Sequence, residues 1–330
     1  MNTTGPTPHS RQKERGATLL SVLLIITLMS AAALAATDAL ARSISVSRLS
    51  SSRADAFWGI RGAVTVAGVM LDELAGAQAA LTADSSIFHE PTVFTSSRGT
   101  ITVQLYEATN CFNLNALKLG GVDDSGGLPP GQLSRLLEGA GLFSSDARHL
   151  VDALADWMDA DASPRAAGAE DAVYRGRDIP HRTPGQRLVS LSDVRAVEGF
   201  TPDVLARIAG LVCVRAPSDH APLNLNTLSV DQAPLLAARF SSQLSVGEAE
   251  RLILARPDGG WLNVDEFLLS RDVARIAPEL RNESAISVRS THIGAMIRAS
   301  SQSGTLTIDA VFSRGPDGQF ALMSSHRRPD

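Results

Sequence analysis

Residues 17–37, ATLLSVLLIITLMSAAALAAT, carry no charged side chain, and the segment before them is basic. Nothing else in the chain restricts its fold as strongly. As a helix this run extends about 30 Å, the thickness of a bilayer's hydrocarbon core. A cleaved secretory signal has a shorter apolar region that ends at a small-residue site. The Ala-rich end MSAAALAA imitates such a site, so composition admits a discarded signal as well as a retained span. Length favours the retained span. Arg11, Lys13 and Arg15 outnumber Glu14 ahead of the run. The positive-inside tendency therefore puts the N-terminus in the cytoplasm and the chain beyond about residue 40 on the far side.

The rest of the chain is long enough for one large domain or two to three small ones among its 330 residues. Hydrophobic content of 44% suffices for a core, and charged residues at 20% are mixed in sign. The net charge of −5 argues against broad electrostatic binding to nucleic acid. Cys111 and Cys213 are the two cysteines. They are too few for a disulfide scaffold but fit one bridge in an oxidising compartment.

From Asp38 to about Gln78 the chain lacks proline, and Ile60, Val64, Val66, Val69, Met70 and Leu74 recur at mostly helical spacing. Within it SISVSRLSSSRA is linker-like by composition, so a flexible stalk and a continuous helix both fit. VFT and TITVQLY, joined by SSRG, predict a strand hairpin over Thr92–Leu105. From about 130 to 285 short helices follow one another with start signals. Ser190-x-x-Asp193, Ser229-x-x-Gln232, Ser245-x-x-Glu248 and Asn263-x-x-Glu266 are capping boxes or near variants, and Thr201 precedes Pro202 at a first helical position. In VDALADWMDAD, Leu150, Val151, Leu154, Trp157 and Met158 form a core stripe. TLTIDAVFSR and QFALMSS around GPDG predict a closing hairpin. The order is long helix, strands, helical block, strands: an α+β frame with a helical insertion. CFNLNALKL and PLNLNTLSV form a faint internal repeat, open to chance similarity.

The densest chemistry is acidic. DWMDADASPRAAGAED brings Asp156, Asp159, Asp161, Glu170 and Asp171 into one stretch. Asp152, Asp156 and Asp159 share the polar face of a helix, and a Ser-Pro-Gly loop follows. Such carboxylates need water or a hard divalent cation, and Ca²⁺ tolerates irregular oxygen ligands. A solvated acidic turn fits the residues equally. The D-x-D-x-D-G loop pattern is absent, and the lack of Cys or His in the cluster disfavours zinc.

No catalytic constellation is legible. VDDSGG resembles the serine stretch of trypsin-like proteases, but Asp123 stands where that pattern has glycine, and no histidine has a matching context. HExxH, G-x-S-x-G and P-loop patterns do not occur. NLNTLSVDQAPLLAARFSSQLSVGEAERLILARPDGGWLNVDEFL resembles helix-hairpin-helix DNA-binding modules. Its hairpin, Ser241-Ser242-Gln243-Leu244-Ser245, lacks their glycine pattern, and Glu248 and Glu250 repel phosphate. We read a shared scaffold without nucleic acid; a membrane-anchored DNA-binding or DNA-uptake protein is the alternative.

Taken in order, these pieces resemble the K-type minor pseudopilin family of the type II (general) secretion pathway over nearly the whole chain. The resemblance is carried by RGATLLSVLLIITLMS as a prepilin-like N-terminus and by CFNLNAL. LADWMDAD…GAED ending at Tyr174, SLSDVRAVEGF…LARIAGLVCV, LNLNT and the closing strands complete it. It implies that prepilin peptidase cuts between Gly16 and Ala17 and methylates the new amine, taking the net charge from −5 to −7. It implies a pilin-like α+β fold, a long N-terminal helix on a small antiparallel sheet. The large insertion is expected to be all-α, with two SAM-like or helix-hairpin-helix-like subdomains.

The expected divisions are 1–16 leader, 17–37 membrane span, 38–110 remaining helix and first strands, 111–288 insertion with a break near 213–224, and 289–330 closing strands. The resemblance further implies a Cys111–Cys213 disulfide bracketing the insertion. It implies Ca²⁺ on the acidic cluster and a non-enzymatic role. Counting from Ala17, the fifth residue is Ser21, where most pilins and pseudopilins carry Glu. In a fibre that carboxylate meets the terminal amine of the subunit above. A subunit at the top has no such partner, and serine leaves no charge buried in the bilayer. The implied role is a tip subunit, anchored in the inner membrane with its head in the periplasm. It assembles with the I- and J-type minor pseudopilins to initiate and cap the pseudopilus.

Overall fold

Helix α1 runs unbroken from Ser10 to Gly76, about 100 Å at 1.5 Å per residue. The computed structural model describes residues 10–328 apart from 77–80, 97–98, 121–126, 282 and 302–303. Most of the expected leader, and all but the last residue of VDDSGG, lie outside the described residues; Gly16 and Ala17 fall within α1. Thr18–Arg48 is long and apolar enough to cross a membrane by length and composition. SISVSRLSSSRA belongs to the same helix, so the chain has no flexible stalk there. Serine is accommodated by bonding back along the helix, as Ser45 Oγ does to the Ala41 carbonyl at 2.9 Å. Arg42 adds an i,i+4 ion pair with Asp38.

Beyond residue 58 one stripe of α1 becomes buried: Ile60, Ala63, Ala67 and Leu71, at helical spacing. It packs on an antiparallel sheet. In chain order the strands are β1 (Thr92–Ser96), β2 (Gly99–Glu107), β3 (Phe112–Asn113), β4 (Val212–Cys213) and β5 (Leu223–Asn224). They continue with β6 (Ile286–Ser287), β7 (His292–Ser301), β8 (Gly304–Arg314) and β9 (Phe320–Arg328). The main sheet has the order β1-β2-β7-β8-β9. Val103, Leu105, Ile293, Ala295, Ile297, Ala310 and Phe312 meet the α1 stripe in one core. The two hairpins read from the sequence are present as β1–β2 and β8–β9.

The sheet has a defined polarity along α1. Gly59 lies against Ile101 and Gly68 against Phe312, while Asp72 accepts a hydrogen bond from the Phe320 N–H at 2.8 Å. The Ile101 end of the sheet is therefore the end nearest the apolar segment. β2 leaves and β7 returns at the opposite end, at Glu107 and His292, and the insertion stands there. The joint is a buried polar hub. Glu107 Oε2 accepts from Ser290 Oγ at 2.5 Å, Thr227 Oγ1 at 2.7 Å and Asn224 Nδ2 at 3.3 Å. Glu107 Oε1 accepts from the Thr109 N–H at 2.7 Å. The Thr109 hydroxyl in turn accepts from the N–H groups of Thr291 and His292.

The insertion holds α2 (Pro130–Gly139), α3 (Ser144–Met158), α4 (Asp171–Arg175), α5 (Pro202–Ile208), α6 (Ala233–Arg239), α7 (Val246–Leu254), α8 (Val264–Leu268) and α9 (Arg271–Ala274). It has two apolar clusters. One gathers Phe112, Leu133, Leu150, Leu154, Trp157, Tyr174 and Ile208, and the other Leu225, Leu236, Phe240, Leu252, Phe267 and Ile286. The capping boxes form at Ser190, Ser229 and Ser245, and Asn263 caps α8. Thr201 caps α5 ahead of Pro202.

The insertion is not all-α. Each NLN segment forms a two-residue parallel ladder, β3 with β4 and β5 with β6. Asn115 and Asn226 lock the ends of these ladders. Asn115 Nδ2 donates to the Leu188 and Arg215 carbonyls, at 2.8 and 3.0 Å, and its Oδ1 accepts from the Leu188 N–H at 2.9 Å. Asn226 Nδ2 donates to the Trp261 and Val288 carbonyls, at 3.0 and 3.1 Å, and its Oδ1 accepts from the Trp261 N–H at 2.7 Å. Cys111 and Cys213 are bonded, with Cα atoms 5.7 Å apart. The bridge closes the β3–β4 half only, rather than bracketing the whole insertion, because the return to the sheet comes later, at His292.

Candidate metal centre

Helix α3 is amphipathic and ends at Met158, where Asp159 takes the C-cap position. The face expected to be polar and solvated is covered. Asp156 is wholly buried, because loop 160–170 folds back over it. Asp152 Oδ2 accepts from the Ala167 N–H at 3.0 Å, and Asp156 accepts from the backbone N–H of Arg165. Gly168 makes this closure possible: a Cβ there would stand 1.9 Å from Asp156 Oδ2.

Three of the five candidate carboxylates converge. One oxygen from each of Asp159, Asp161 and Glu170 lies within 4.8 Å of the other two. Asp159 Oδ1 and Glu170 Oε1 are buried without a hydrogen-bond partner among the described residues. A buried charged oxygen with no donor costs more than the roughly 1–3 kcal/mol of a neutral group. Burial first, then the charges of Asp156 and Asp159, push the Glu170 carboxyl above its ordinary range. Such a cluster is relieved by a cation. The donor set is oxygen alone, which suits a hard ion such as Ca²⁺.

The other two candidates are engaged elsewhere. Asp156 Oδ1 accepts from Arg165 Nη1 at 2.5 Å. The same guanidinium reaches Asp159 Oδ2, and its Nη2 donates to the Leu119 carbonyl at 2.7 Å. Burial would lower the Arg165 pKa, but the hydrogen bonds to Asp159 and Asp156 outweigh it and raise it. Asp171 accepts from Arg175 Nη2 at 2.5 Å and from the Thr183 N–H at 3.0 Å. It opens α4 and ties down the outer loop. Sequence reading missed Arg165, whose place in ASPRAAG resembles any loop arginine, and Gly168, whose role appears only with the loop closed.

Beneath the cluster Trp157 and Tyr174 stack edge to face at 5.1 Å, and the Tyr174 hydroxyl accepts from the Glu198 N–H. The acidic loop is thus fastened to the core through the helix before it and the helix after it.

The two halves of the insertion each match a family model of the type II secretion system protein K, the first over residues 110–217 and the second over 223–289. The chain belongs to the type II secretion system protein K family. Protein K of Pectobacterium carotovorum subsp. carotovorum is 36% identical over 261 residues, covering 77% of this chain and 79% of its own. That of Klebsiella pneumoniae is 36% identical, covering 78% and 79%, and that of Aeromonas hydrophila 30% identical, covering 70% and 72%. In structure the chain is similar to one in the crystal structure of the GspK-GspI-GspJ complex from enterotoxigenic Escherichia coli. The TM-score is 0.72 at 25% identity, over 86% of this chain and 99% of that one. Membership in the protein K family makes this chain a minor pseudopilin of the type II secretion system. The DNA-binding alternative finds no support in these relatives.

Proposed function

We propose that this minor pseudopilin sits at the tip of the pseudopilus, assembling there with the I- and J-type minor pseudopilins to initiate and cap it. One observation carries the reading: the insertion stands at the end of the sheet farthest from the apolar segment of α1. A bulky crown in that place obstructs any subunit above it and leaves the space below free. The complex of the E. coli relative contains GspI and GspJ, which supports the same assembly for this chain. The exposed apolar residues of α1, among them Leu19, Leu23, Ile26 and Leu34, need a bilayer or neighbouring helices as their cover.

In this reading prepilin peptidase cuts between Gly16 and Ala17 and methylates the new amine. The N-terminus faces the cytoplasm, the span crosses the inner membrane, and the head lies in the periplasm. Ser21 suits the top position because a Glu there would have no amine above it to pair with. Asp159, Asp161 and Glu170 hold Ca²⁺ directly, while Asp156 and Asp171 keep the loop closed through Arg165, Arg175 and Thr183. The ion neutralises the converging carboxylates; it takes part in no reaction, and the role is structural rather than enzymatic.

Co-purification of the full chain with the I- and J-type pseudopilins, together with its location on assembled fibres, tests the reading. A tip subunit co-purifies with both and labels fibre ends; labelling along the whole fibre would overturn it. N-terminal sequencing of mature protein is expected to begin at Ala17, and a start near residue 37 would reject the cleavage.

A further inference from the structure

The sheet face turned away from α1 carries positive charge at the end nearest the membrane span. Arg298 on β7, Thr307 on β8 and Arg328 on β9 stand side by side in register. Ile297, Ala299 and Ile308 pack toward α1, so alternation turns Arg298, Thr307 and Arg328 outward. Two strand spacings put the arginine backbones about 10 Å apart. Both side chains are exposed. Arg328 Nη1 touches the Met296 sulfur at 3.5 Å, and among the described residues neither arginine pairs with an acid. The closest acid in register on that face, Asp309, accepts from the Tyr106 hydroxyl at 2.5 Å. His326 lies opposite Asp309, while Arg327, opposite Ile308, turns to the other face.

Location decides what this patch meets. α1 passes the patch at the level of Gly59, which rests on Ile101, itself paired with Ala299. From Asp38, the first charge after the apolar run, to Gly59 the helix rises about 30 Å. Screening at physiological salt confines exposed charges to about 8 Å. Lipid headgroups therefore lie out of reach of an upright subunit. What lies within reach is the space beside the lower head, where the next subunit of a fibre stands.

We propose that Arg298 and Arg328 form a cationic docking patch for a carboxylate-bearing surface on the head of the pseudopilin directly below. This rests on the tip reading and adds to it the chemistry of the contact. Rim charges of this kind set association rate, register and salt dependence.

The test uses the full chain in uncharged detergent with full-length I- and J-type pseudopilins. Wild-type affinity is expected to weaken as salt is raised. The double substitution Arg298→Glu/Arg328→Glu is expected to lower affinity roughly tenfold at low salt and to flatten the salt dependence. Arg298→Lys/Arg328→Lys is expected to retain most of the affinity, and all three proteins to melt together. Salt-independent wild-type binding, or full affinity in the charge-reversed protein, overturns the patch and leaves the tip reading standing. No binding by wild type overturns the tip reading itself, and the patch with it. Sedimentation with phosphatidylglycerol vesicles is the remaining arm. A charge reversal that abolishes only vesicle binding assigns the patch to lipid and rejects the proposal.

Discussion

Asn115 and Asn226 make the same three hydrogen bonds in the two halves of the insertion. Each grips both backbone groups of one residue, Leu188 or Trp261, and one further carbonyl, that of Arg215 or Val288. Two residues after each gripped residue comes a helix cap, Ser190 or Asn263. The halves are thus built to one plan, and they differ in what separates the second helix from the grip. Residues 255–260 do this after α7, and residues 159–187 do it after α3. The three converging carboxylates, Asp159, Asp161 and Glu170, lie wholly within that longer segment.

Asn115→Ala and Asn226→Ala are each expected to destabilise the protein by about 2–4 kcal/mol, since buried backbone groups lose their partners. Urea denaturation measures the loss. Limited proteolysis should open residues 159–187 in the first variant and the Trp261 loop in the second. A change below about 0.5 kcal/mol in both would show that the grips do not hold the halves.

Ca²⁺ is expected to bind the full chain in detergent by calorimetry and to raise its melting temperature. Glu170→Gln and Asp159→Asn should abolish both effects, whereas Asp171→Asn should loosen the outer loop and leave binding detectable. Gly168→Ala should weaken binding without removing a ligand, because its Cβ displaces Asp156. Wild-type protein indifferent to Ca²⁺ and to chelator would dismiss the site.

The linker between the halves supplies a pH response. Burial acts to raise the Asp219 carboxyl, but the His292 ring, whose Nε2 lies 3.2 Å from its Oδ2, then Arg215 and the Ala221 N–H, outweigh it and hold it below the ordinary carboxylate range. A depressed carboxyl contributes stability above its unfolded value, and that contribution fades as pH falls through the folded one. Asp219→Asn should therefore be less stable than wild type near neutrality and converge with it in strong acid. Parallel stability curves over the whole acid range would contradict this.

Reduction of Cys111–Cys213, or Cys213→Ser, releases a loop of 102 residues. Loop entropy alone sets the loss at about 4–5 kcal/mol. Thermal unfolding with and without reductant reads it. Protection of the main sheet from hydrogen exchange should persist, since the bridge closes only the first half of the insertion.

Several of these features were legible in the sequence. The apolar run, the two hairpins and the helix caps depend on neighbours close in the chain, so their residue patterns report them. Strand β7 was harder to see: as the middle strand it is buried on both faces over most of its length, so HIGAMIRASS shows no clean alternation. Its Gly294 serves the ring of Tyr106, which lies where a side chain would be. The parallel ladders pair residues such as Asn113 and Cys213, and no local signal marks contacts so far apart. At the acidic site spacing put the carboxylates on one helix face. It could not separate those that converge from Asp156, which Arg165 occupies from a loop nine residues on.

The Glu107 hub also has a mechanical meaning. In the proposed tip position, a pseudopilus that lengthens from the membrane would push on this subunit along α1. That thrust enters the sheet through the Ile60–Leu71 stripe and leaves it at the far end, where Glu107 receives four donors from the linking segments. Directional bonds around one carboxylate resist bending and rotation more than an apolar contact does. The crown is therefore carried as a fixed head on a shaft, and keeps its aim while the shaft advances.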